Sequence, residues 1–579
     1  MWNCILPANW LPVCRRGLFL DMTLRLVQGL AGILLALLLA GCQMPGKIPP
    51  STNGDGDSAA SETALQMRAE ASAHYAAAII HALNEEATEA AQEYDAATRK
   101  DPDNEALVLE VSRRLVQMRQ VEAARDIVER AAARPKPSAE LLARLGFIYS
   151  QLGQTTNAIA ANRRALAARP EAFAIRQNLF LNYVQSRNSA AALAVLDETA
   201  RLPKISSDQL TELAGLYGTF AQQFPTQRET ANARAYAVLR RVDESRLIPV
   251  QARLKLADRY FLLGDNTNSE RLYLKLAEDY TDVPALREHI RGRLVDVYLR
   301  QQDQTNAIAQ LETIIRENPS NEQAYYSLGS LASERKDWSN AVVYLEKAVL
   351  FGPKMEQAHY DLAAAQLAVD DPGGALKTLD NARKLFPNSF VVEYLEGMAR
   401  SQKKDFALAA HAFGAAERIA KGREVSRLNH VFYFQYGAAC ERSGDYTRAV
   451  ELFEKCLGLQ PDFSEALNYL GYMWAERGEH LERARDLIAR ALKAEPDNAA
   501  YLDSMGWVLF KLKQPEEALA YMLRAVKAES PVDATLLDHL GDIYAALNQH
   551  VAARDAWTRS LATEPNETVK KKLEAIPAE

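Results

Sequence analysis

Apolar and polar positions alternate along this chain with a helical rhythm that restarts about every 34 residues. In the stretch Glu322 to Pro353, Tyr325, Leu328, Gly329 and Ala332 fall at i, i+3, i+4 and i+7, which puts them on one face of a helix. A polar break, ERKDWSN, follows. Ala341, Leu345 and Ala348 then mark a second helix, and Pro353 ends it. Gly329 lies inside the first helix, where glycine costs about 1 kcal/mol against alanine. Its use there is space: without a side chain, the neighbouring helix can come close.

The same unit recurs. Ala307, Ala341, Ala375 and Ala409 are spaced by 34 residues, as are Pro319, Pro353 and Pro387. Gly437, Gly471, Gly506 and Gly541 follow at nearly the same interval. A fixed period of this length means a stack of helix pairs, none of which can bury its apolar face alone. The pattern spans about Thr63 to Pro565 and predicts roughly fourteen pairs. Two stretches depart from it, residues 218–249 and 417–429, and each adds length. The tail TVKKKLEAI reads as a short polar helix that closes the stack.

These residues resemble the tetratricopeptide repeat: LLARLGFIYSQLGQTTNAIAANRRALAARP from Leu141, YGAACERSGDYTRAVELFEKCLGLQP from Tyr436, LGDIYAALNQHVAARDAWTRSLATEP from Leu540. The resemblance implies an all-α, right-handed superhelical solenoid with the first helices of the pairs lining a groove. Mapped by period, the groove should carry Tyr326, Tyr360, Tyr469, Tyr472, Asp503, Trp507, Phe510, Asp538 and Asp542. Rings supply contact area at low entropy cost, and carboxylates favour a basic partner. The alternative is that several of these rings pack between neighbouring repeats. His539, beside Asp538, is expected on a solvated helix face.

The amino terminus has a different pattern. Leu30 to Ala40 reads LAGILLALLLA, too short to span a membrane and suited to a secretory signal. It ends at Cys42, and Leu39-Ala40-Gly41-Cys42 resembles the lipobox of bacterial lipoproteins. That resemblance implies cleavage before Cys42, acylation of its thiol and amino group, and, with Gln43 next, sorting to the outer membrane facing the periplasm. Met22 begins a compact leader and is the expected start. The stretch after Cys42 is rich in Pro, Gly, Ser and Asp and reads as a flexible tether. The expected organisation is signal peptide 1–41, lipidated tether 42–62, repeats in 63–205, 206–429 and 430–565, and tail 566–579. The closing repeats also look like those of a group of bacterial tetratricopeptide lipoproteins.

Composition narrows the function. The 579 residues carry 68 Lys and Arg against 75 Asp and Glu, a net charge of −7, so nucleic acid is not expected as a partner. No dinucleotide fingerprint, P-loop, HExxH or G-x-S-x-G is present, and neither an enzyme nor a cofactor is expected. Five cysteines in this length do not make a disulfide scaffold. Cys440 and Cys456 fall at core-facing positions of one pair, either as two buried thiols or, in an oxidising compartment, as a disulfide. The expected function is therefore binding: a scaffold for envelope proteins or their peptide segments, held to the membrane by its lipid. The alternative is a groove for polysaccharide.

Overall fold

The computed structural model describes residues 58–247, 249–529 and 531–576. Residues 1–41, expected from the sequence to be a signal peptide, and Cys42 lie outside them. Among the described residues there are twenty-nine α-helices and no strand, and they form fourteen antiparallel pairs with one helix left over at the carboxyl end. No described helix is long and apolar enough to cross a membrane. Two compact units divide between Glu317 and Asn318. Each holds seven pairs, and the second also holds the last helix.

The pair α15 (Glu322–Glu334) and α16 (Trp338–Phe351) shows how the sequence makes the unit. Tyr325, Leu328, Ala332, Ala341, Leu345 and Ala348 are all buried. A Cβ added to Gly329 would stand 2.6 Å from Leu345 Cγ, so the helices touch where glycine leaves room. Lys336 takes a left-handed backbone, φ 59°, in the turn between them. Asp337 then caps α16 by accepting the Asn340 N–H, which satisfies one of the free donors of the first turn. Within each unit, each pair packs on the next.

The two irregular stretches are extensions of this plan. α9 (Ser207–Gln223) is 17 residues long and is followed by a short 3₁₀ turn, Pro225–Gln227, before α10 (Arg228–Leu239). α20 (Phe406–Arg423) runs for 18 residues and leads into a second such turn, Val425–Arg427. α20 also carries Glu417, which is 4% exposed and meets Lys421, Arg448 and Lys455 at 3.0, 2.9 and 3.7 Å. Burial raises the Glu417 pKa and the three cations more than reverse this, so it lies below the usual carboxylate range.

Helix begins earlier than the tether reading allows. α1 (Ser58–Leu83) starts inside residues 42–62, where Ala59, Ala60 and Glu62 are good helix formers. At the other end, α29 (Glu567–Ala575) covers the last pair with Val569, which is buried against Ala553 and Trp557. Cys440 and Cys456 are free thiols, both buried, so the disulfide is not formed. Burial pushes each thiol up to about 12, which makes them inert apolar fillers.

Candidate binding site on the first helices of the last three pairs

The site residues come from three first helices of the second unit: α23 (Ser464–Arg477), α25 (Ala499–Lys511) and α27 (Ala534–Ala546). These helices pack side by side, α25 between the other two. The repeat therefore brings residues 31 to 36 apart in sequence into contact.

Trp507 is the centre of the cluster. Its Nε1–H donates to Glu476 at 2.8 Å. One ring face stacks on His539, with centroids 3.9 Å apart and planes 14° apart. The Lys511 ammonium stands 4.6 Å from the ring centroid, a cation–π contact. Lys511 also reaches the Glu476 carbonyl oxygen at 3.4 Å. With 5% of its surface exposed, Trp507 is packing between repeats and not a free anchor for a partner.

His539 is buried, which corrects the expectation of a solvated face: its Nδ1 lies 2.9 Å from Asp503 Oδ1, and Tyr472 stands beside it with centroids 6.2 Å apart. Burial lowers its pKa, but the Asp503 charge and hydrogen bond, helped by Glu476 and Asp538, outweigh burial and leave it above the ordinary histidine value. A folded pKa above the unfolded one gives stability that is fully present below the unfolded value, near pH 6.5, and lost as pH rises through the folded value. The Asp503→Asn variant should therefore lose stability relative to wild type chiefly in acid, with the two melting curves converging as pH rises. Thermal melts of both proteins across pH 5 to 9 check this, and a gap that widens toward alkaline pH would contradict it.

The other candidates are placed as follows. Tyr360 is buried, with its hydroxyl 2.6 Å from both Glu356 and Ser389, so it does not line an open face. The Tyr326 hydroxyl donates to Asp361 at 3.0 Å. Tyr469 packs its ring against Phe434 and Phe453, and its hydroxyl donates to Glu441 at 3.0 Å. Asp538 and Asp542 share Lys572 of α29, each at 2.8 Å, so the chain's own tail holds the acidic pair expected to meet a partner. Burial raises the Asp542 pKa against the pull of Lys572.

What stays open is smaller. Phe510 and Tyr472 are half-buried, and Phe510 borders a depression of about 480 Å³ with Asp542, Ala545, His550, Trp557 and Lys572. Lys572 binds Asp538 and Asp542 and Lys511 reaches the Glu476 backbone carbonyl, so the side chains of Glu476, Asp503, Asp538, Asp542, Lys511 and Lys572 together carry two net negative charges when His539 is neutral. Glu476, Lys511 and Lys572 were not singled out by the sequence reading: Glu476 lies 31 residues before Trp507, Lys511 one helical turn after it, and Lys572 in the closing helix outside the repeat period. Among the described residues no group of three or more His, Cys, Asp or Glu could hold a metal.

Family models recognise part of this chain. A tetratricopeptide repeat model matches residues 53–105, 293–356, 441–499, 477–531 and 504–567, and a second such model matches 139–171. No curated protein matches the chain. Among solved structures, the APC/C hetero-tetramer Cut9-Hcn1 is 14% identical, covering 80% of this chain and 94% of that one, with a TM-score of 0.37. MamA 41-end from Desulfovibrio magneticus RS-1 is 19% identical over 30% of this chain and 96% of its own, with a TM-score of 0.28. YrrB, described as a TPR protein with an unusual peptide-binding site, is 20% identical over 35% and 96%, with a TM-score of 0.29. The helix pairs within the matched residues are recognised as tetratricopeptide repeats, and each unit is an all-α stack of helix pairs that fits a solenoid of such repeats.

Proposed function

We propose that this chain is a lipid-anchored scaffold on the periplasmic side of a bacterial outer membrane, where its repeats bind proteins of the envelope. Binding of other proteins is the ordinary use of such repeats. Location rests on the short apolar run that ends in Leu39-Ala40-Gly41-Cys42 and on Gln43. Partner contact rests on one observation above the others: Phe510 and Tyr472 remain partly open beside a net negative cluster and a depression large enough for a side chain. An aromatic wall with a negative rim suits a segment that offers an apolar side chain next to lysine or arginine.

The polysaccharide reading needs open aromatic platforms. Trp507, Tyr360 and Tyr469 are engaged within the protein, which favours the protein partner. The test is retention of envelope proteins and of cell-wall or exopolysaccharide fractions on the immobilised chain. Phe510→Ala should weaken capture of a specific protein by about tenfold or more, as expected for an aromatic contact residue. Polysaccharide retention that falls in the same variant, with no protein captured by wild type, would overturn the reading.

A further inference from the structure

We infer that the outer face of α1 is a dimer interface, through which a second copy of this chain docks by the same face in antiparallel orientation. The small residues that let the two helices of a pair cross are twelve apart: Gly146 and Ala158, Gly506 and Ala518, Gly541 and Ala553. Ala78 and Ala90 are the corresponding residues of the first pair, both fully buried. This register identifies the positions with which a first helix meets the preceding pair. Two residues after the crossing residue stand Ile148, Val508 and Ile543 in later pairs. Five residues before it stand Leu141, Tyr501 and Leu536. All six are buried. In α1 the same positions are Ile80, which is 59% exposed, and Ala73, also exposed.

The uncovered face is continuous. Leu65, Ala69, Ser72, Ala73, Ala76, Ile80 and Leu83 recur at helical spacing, all are exposed, and no charged residue falls on this face between Leu65 and Leu83. Leu65 and Leu83 are 62% and 79% exposed. Terminal repeats ordinarily present a polar outer face. The carboxyl end has its closing helix, α29, and the amino end of the described chain presents this apolar stripe instead.

Two arguments choose a second copy, and its orientation. The stripe is self-complementary about its middle, near His74 and Tyr75. In an antiparallel pair, Leu65 meets Leu83 of the other copy, Ala69 meets Ile80, and Ala73 meets Ala76. Large residues close the ends, and small ones let the axes approach to about 8 Å at the centre. Further, α29 covers the last pair, which closes that end to head-to-tail stacking. Like faces then pair about a two-fold axis and give a closed dimer. A single helix pair is small for an interface, which sets the dissociation constant at about 1–100 μM.

The test uses the full chain in mild detergent. Sedimentation equilibrium over a concentration series should show a monomer–dimer equilibrium, and Ile80→Lys should raise the dissociation constant by at least about a hundredfold without moving the thermal melt, because Ile80 is exposed. Oxidation should link Ala76→Cys to its own counterpart near the axis. It should leave Leu83→Cys unlinked, because those residues lie about 27 Å apart in the antiparallel pair. Monomer at every concentration, self-linking of Leu83→Cys, or an α1 face that binds lipid vesicles while the protein stays monomeric would each overturn the inference.

Discussion

Phe413→Ala is expected to cost about 3–5 kcal/mol of local stability, the range for an aromatic removed from a closed core. Phe413 is fully buried on α20, and its ring lies 5.7 Å from Tyr394, 6.2 Å from Phe432 and 6.0 Å from Tyr436. Tyr394 is on α19 (Phe390–Gln402), and the other two are on α21 (His430–Arg442). The ring therefore joins three successive helices. It also rests on the backbone of α19: a Cβ at Gly397 would stand 2.6 Å from Phe413 Cε1. Nothing nearby is flexible enough to refill the space, because the neighbours are themselves rings held in one layer, and each lost ring contact adds to the cost of burial. Stacked repeats unfold in parts, so one global midpoint is the wrong readout. Hydrogen exchange over residues 390–442 is the right one. Protection there should fall by about two to four orders of magnitude while residues 139–168 keep theirs. A change equivalent to less than about 1 kcal/mol would contradict the packing account.

The second large effect is all-or-none. Cys42→Ser should abolish acylation and leave the chain either uncleaved or released from the membrane. Acyl chains hold a protein by about 0.8 kcal/mol per buried methylene, and stable anchoring takes more than one. A hydroxyl in place of the thiol takes no diacylglycerol, so the remaining interactions are those of a protein with net charge −7 and no described membrane-spanning helix. The checks are fractionation and the mass of the mature amino terminus. Wild type should begin at Cys42 and carry lipid. A Cys42→Ser chain that is still acylated and cut at the same bond would refute the anchor.

Much of the fold was legible because each pair repeats the same physical demands. Leu328, Gly329, Ala341 and Leu345 announce one helix crossing by spacing alone, and the structure places all four at that crossing. The tail TVKKKLEAI could be read as a cap for the same reason. The site was less legible. Period locates a residue on a face but does not say what its neighbours do with it. Trp507, read as a groove anchor, is covered by His539 and Lys511, contacts that depend on rotamers and on residues one repeat away. Asp538 and Asp542 are taken by Lys572, which lies in the closing helix outside the repeat period altogether. His539 looked solvated because only its sequence neighbours Asp538 and Asp542 were in view; its partner, Asp503, is 36 residues away.

The open part of this cluster is expected to meet another protein. Photo-crosslinking in living cells from Phe510 and Tyr472, with identification of what is captured, tests it most directly. One or two discrete envelope proteins, captured from these positions and not from exposed Val343 on a different pair, is the result expected. Carbohydrate co-purifying with no protein adduct from either position would contradict it.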